Sequence, residues 1–147
     1  MTKRASTLAR SKGVERQVQQ LLWPGSTFAG GAKRPALEQQ DLRGEDRDGR
    51  PLWGEVKNYT PETLEAEGGV WRVLEKAYRQ CEKAIAAGHH EGEKPRAFAV
   101  LWVVGAKRPD RKLAMYEWPV AGLAVTTLAK FARLVVGVPE GDEPCAE

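Results

Sequence analysis

Apolar positions recur along this chain with two different periods. Val14, Val18, Leu21 and Leu22 fall at i, i+4, i+7 and i+8, one face of a helix from about Ser11 to Leu22. Ser11 is a suitable N-cap, and Pro24-Gly25 ends the helix. The stretch 24–36, rich in glycine and proline, reads as a loop. A hairpin follows, with 46–50 (Asp-Arg-Asp-Gly-Arg) as its turn and Glu45 opposite Pro51. Within Pro51–Tyr59 the strand period of two turns Leu52 and Val56 to one face and Glu55 and Lys57 to the other. Thr60-Pro61 starts a short helix and Gly68-Gly69 interrupts it.

Val70 to Ala87 is the clearest helix, with Val70, Leu74, Ala77, Tyr78, Cys81, Ala84 and Ile85 in one apolar stripe. Arg72, Lys76, Arg79 and Lys83 lie on its other side, within about 60° of one another at 100° per residue. The ordinary reading of such a row is a solvated helix face, and the alternative is a surface that meets phosphates. Ala97–Val104 is a continuous apolar run, expected as a strand covered on both faces. A basic loop, 107–112, leads to a strand at Leu113–Trp118, and a last helix is expected from about Val120 to Val136. The order helix, strands, helix, strand, strand, helix predicts an α/β fold: a mixed central sheet flanked by helices. Three regions follow from this: a basic arm at 1–10, a single domain at 11–137 and an acidic, disordered tail at 138–147.

Composition narrows the function classes only a little. The net charge of +3 permits a polyanionic partner without requiring one. Cys81 lies on a helix face and Cys145 in the tail, so neither a disulfide nor a zinc site is indicated. His89-His90, beside Gly88 and without a nearby cysteine, reads as a polar loop. No apolar run is long enough to span a bilayer and no signal segment is recognisable, so the expected location is cytoplasmic.

The candidate chemistry lies in the hairpin. Continuing the 45–51 register puts Asp41 opposite Glu55, where paired side chains sit about 4.5–5.5 Å apart and like charges repel. Two such carboxylates beside Lys57 call for a cation, and oxygen ligands suit Mg²⁺ or Mn²⁺. Glu15, about 100° round the first helix from its apolar stripe, looks over the sheet edge toward the pair. The ordered set of Glu15, Asp41 and Glu55-Val56-Lys57 resembles the PD-(D/E)XK nuclease superfamily, and Lys12-Gly13-Val14-Glu15-Arg16 resembles the helix opening of archaeal-type Holliday junction resolvases. The element order from about residue 10 to 118 is compatible with that family. Gln40 stands where the family usually has proline before its Asp, which brings Asp46 and Asp48 in as alternatives. Both fall in the turn, where backbone geometry alone favours Asp, so Asp41 is retained.

The resemblance implies a restriction-endonuclease-like core and a Mg²⁺-dependent endodeoxyribonuclease in which Mn²⁺ would substitute. Asp41, Glu55 and the Val56 backbone carbonyl would hold the metal. Lys57 would orient or deprotonate the attacking water, and Glu15 would act through a metal-bound water or a second metal. Branched DNA, a four-way junction above all, is the implied substrate, and a homodimer supplies the two-fold symmetry of paired incision. Lys3, Arg4, Arg10, Lys12, Lys33 and Arg34 are the candidate DNA contacts. Trp23 and Phe28 suit base stacking, but aromatics bordering a helix more often belong to a core. Other readings are a flap-processing or restriction-type nuclease, or a noncatalytic DNA-binding protein on the same fold.

Overall fold

A computed structural model describes residues 13–26, 42–88, 92–105 and 111–139. The first helix, α1, occupies 13–22 and stops at Trp23-Pro24-Gly25. Next come β1 (Leu42–Glu45), β2 (Pro51–Tyr59), α2 (Pro61–Ala66) and α3 (Val70–Ala87). The chain ends with β3 (Arg96–Val103), β4 (Arg111–Trp118), β5 (Gly122–Thr127) and α4 (Leu128–Phe131), which continues as a π-helical turn, Ala132–Val136. No helix among the described residues is long and apolar enough to cross a membrane.

The five strands form one mixed sheet in the order β1-β2-β3-β4-β5, in which only β2 and β3 are parallel. That parallel pair needs a crossover, and α2 with α3 supplies it. The hairpin has the expected register, with Glu45 opposite Pro51 and Leu42 opposite Gly54. Its turn is held by Asp46, whose Oδ1 accepts from the amides of Asp48 and Arg50 at 2.9 and 3.0 Å. Asp46 is thus engaged with its own turn rather than aimed at a site.

Helices cover both faces of the sheet. On one face α1 and the C-terminal helix bury Val14, Val18, Leu22, Leu128, Phe131 and Val135 against Leu52, Val56, Phe98 and Tyr116. On the other, α3 buries Val73, Leu74, Ala77, Tyr78, Cys81 and Ile85 against Trp53, Ala99, Leu101 and Met115. β3, whose residues 97–103 are all buried, is covered on both sides as its apolar run requires. Val73 belongs to the buried stripe of α3, whereas Val70 and Ala84 lie at its margin.

The end of the domain differs from the helix expected over Val120–Val136. Residues 122–127 form β5, antiparallel to β4, and the helix begins only at Leu128. Pro119-Val120-Ala121 makes the turn, Gly122 enters the strand at φ +80°, and Val120 is almost fully exposed. Leu123 and Val125 then pack toward the α3 layer. Beta-branched Val125, Thr126 and Thr127 favour the strand, and the apolar spacing of Leu128, Phe131 and Val135 had masked the change of period. Val138, assigned above to the tail, packs on the α1 side, and its amide donates to the Ala132 carbonyl at 3.0 Å.

Candidate functional site

Alternation along β2 sends Trp53, Glu55, Lys57 and Tyr59 toward the α3 layer, since Leu52 and Val56 are buried in the opposite core. Trp53 is buried beneath Arg43, whose guanidinium lies 3.8 Å from the ring centroid, and the Cys81 thiol donates to the Trp53 carbonyl at 3.2 Å. Glu55 and Lys57, two positions apart and therefore about 6.6 Å from Cα to Cα, are half-buried. The strand's period of two thus puts both residues on one face.

Lys57 opens into a cleft of about 580 Å³ between the end of β2 and α3. Arg72, Lys76 and Gln80 line its helix side, Val73 its floor, and Tyr59 and Glu67 its rim. The three helix residues stand at i, i+4 and i+8, one row on α3. Three cations and one carboxylate thus share the cleft. It lies at the carboxyl ends of the two parallel strands, where Lys57 is level with Leu101 and Tyr59 with Val103. Open α/β sheets commonly bind ligands at that end.

The basic row on α3 is therefore not one uniform solvated face. Arg79 is ion-paired to Glu82 at 2.7 Å and to Glu75 at 3.7 Å, and the Glu82 hydrogen bond holds its pKa above the usual arginine range. Arg72 and Lys76 instead line the cleft that holds Lys57. Sequence reasoning treated the four as a unit; the signal that divides them is the pair of acids flanking Arg79.

A second cleft, of about 390 Å³, lies near the amino end of β3, with Lys94 and Arg96 facing Glu82 and Glu117. Its charges oppose one another. Burial, then the carboxylates of Glu82 and Glu117, push the Tyr78 hydroxyl above the usual phenol range. It has no excess of one sign with which to select an ionic ligand.

Glu15 is half-buried on α1, and its Oε1 atom is shielded from solvent. Helix α1 covers the face opposite to the one that Glu55 and Lys57 share, so Glu15 would approach them only round the β1 edge. Asp41, one residue before β1, lies outside the described residues, as do Lys3, Arg4, Arg10, Lys12, Phe28, Lys33, Arg34, His89 and His90. Among the described residues no three His, Cys, Asp or Glu side chains gather in a group that would hold a metal ion. The described carboxylates alone do not make a Mg²⁺ site; the expected one depends on Asp41. Trp23 is partly buried against the core: its ring packs edge-on to Phe98 and its indole N–H donates to the Glu45 carbonyl at 2.8 Å. No protein-family model, curated protein or solved structure matches this chain.

Proposed function

We propose that this protein is a metal-dependent, structure-selective DNA endonuclease, similar to archaeal-type Holliday junction resolvases, that cuts four-way junctions as a homodimer. The observation that carries the reading is the pairing of Glu55 with Lys57 on one face of β2, where Lys57 opens into a cation-lined cleft. Phosphodiester hydrolysis requires a water oxygen to bond to phosphorus while one P–O ester bond breaks and a proton reaches the departing oxygen. Lys57 orients the water and offsets charge on the phosphoryl oxygens. Asp41 and Glu55, with the Val56 carbonyl, would hold Mg²⁺ or Mn²⁺, which supplies Lewis acidity and a more acidic water. Glu15 is assigned a supporting role at the β1 edge. A noncatalytic nucleic-acid-binding protein is the second reading. It is favoured by a cleft whose cations are in place without a three-donor group among the described residues.

Incubation with linear, flap and four-way DNAs in Mg²⁺ separates the readings. The expected outcome is paired incision of the four-way DNA, with Asp41→Asn and Glu55→Gln each below about a tenth of the parental rate and junction binding retained. Lys57→Ala should slow cleavage by about 10²–10⁴, the range for a lost proton-transfer or charge-stabilising group. Binding without cutting in any metal establishes the second reading. Paired incision also requires two sites, so light scattering should give twice the 16.3 kDa chain mass. A monomer with and without junction DNA removes that part of the proposal.

A further inference from the structure

We infer that the cleft between β2 and α3 is a phosphate-binding groove for the DNA strand, and that Arg72 and Lys76, rather than the basic row of α3 as a whole, are its cationic wall. The inference deepens the reading above, because it assumes that the Lys57 face meets nucleic acid.

The case starts from the charge in one concave space. Lys57 comes from the strand, and Arg72 and Lys76 come from successive turns of the facing helix, with Glu67 the only carboxylate among the described residues lining the cleft. Like charges gathered in one concave space repel one another, and an anionic ligand relieves that repulsion. Gln80 extends the row one more turn with a neutral donor. Arg72 offers a planar fork that suits phosphate oxygens, and Lys76 a compact charge beside it. The volume of about 580 Å³ is within the range of binding clefts rather than of packing gaps. Two acids of the helix are engaged outside the cleft. Glu75 and Glu82 pair with Arg79, and none of the three lines this cleft, although Lys76 and Gln80 also border a neighbouring concavity with Arg79 and Glu82. A polymer with a phosphate at every step fits a groove whose cations repeat at each helical turn.

The test measures DNA affinity of the full-length protein in EDTA, so that cleavage plays no part. A four-way junction is titrated at several salt concentrations with the parent, Arg72→Gln, Lys76→Gln, the double variant and Arg79→Gln. All three positions are exposed, and a thermal melt of each variant checks its folding. If the double variant is unfolded, the two single variants decide. Each lost phosphate contact should flatten the slope of log K against log salt by about 0.7–0.9, so the double variant should lose roughly twice that. Arg79→Gln should track the parent. Parallel plots for parent and cleft variants would overturn the inference and leave the nuclease reading standing. A flattening by Arg79→Gln equal to that of the cleft variants would also overturn it, since the whole row would then be the contact. If the cleft variants lose slope while the parent never cuts DNA in metal, the groove stands and the nuclease reading falls. A parent that binds no DNA even at low salt sinks both.

Discussion

Two glycines of the hairpin show how much one missing atom decides. A Cβ at Gly44 would lie 2.1 Å from the Trp23 ring, and one at Gly54 would lie 2.2 Å from the Phe98 ring. Phe98 has no room to retreat, being fully buried against Phe131, whereas Trp23 is partly buried and tied to the Glu45 carbonyl. Gly54→Ala should therefore cost about 1–3 kcal/mol, the usual toll of overpacking, and lower the urea midpoint accordingly. An unchanged midpoint would show that the Phe98 ring moves aside freely. Gly54 immediately precedes Glu55, so the same substitution should disturb the candidate site. Nothing in the sequence pattern singles out these two glycines. Which ring approaches is a tertiary fact, since Trp23 and Phe98 come from other elements. The alternation of Leu52 and Val56 against Glu55 and Lys57, by contrast, was legible because each side chain's face follows from its parity in the strand.

Elements were legible where a local stop signal coincided with the change of period. Thr60 caps α2, with its hydroxyl accepting from the Thr63 amide at 3.2 Å, and Gly68 and Gly69 separate α2 from α3 at φ +105° and +97°. Between β5 and α4 no glycine or proline intervenes. The sole punctuation is Thr127, whose hydroxyl accepts from the Lys130 amide at 3.2 Å. A run of small and beta-branched residues that starts as a strand and finishes as a helix carries no strong break, so one long helix was the natural misreading. Thr127→Ala should remove the cap at a cost of about 1 kcal/mol. The decrease should appear in the unfolding free energy, and Thr127→Ser should restore most of it. Equal stability of Ala and Ser variants would show that the cap is unimportant here.

At the scale of the molecule, the sheet sets β2 beside β3 in parallel and lays α3 across them, and only that arrangement joins Lys57 to Arg72 and Lys76. These residues are 15 and 19 positions apart in the chain, and no periodicity within a single element could have joined them. The carboxylate half of the candidate site was proposed from a register, and the register of the hairpin is present through Leu42 and Gly54. A different long-range contact runs from that hairpin to the π-helical turn at Ala132–Val136: the Arg47 amide, in the exposed turn, donates to the Val135 carbonyl at 2.8 Å. The neighbouring amides of Asp48 and Arg50 instead bond to Asp46 within the turn. Deuterium uptake should therefore tell these neighbours apart. The Arg47 proton should exchange at the pace of C-terminal helix opening, so Thr127→Ala should hasten its uptake and leave that of Arg50 unchanged. A residue at the tip of one hairpin thus serves as a clock for the fraying of a helix more than eighty positions away.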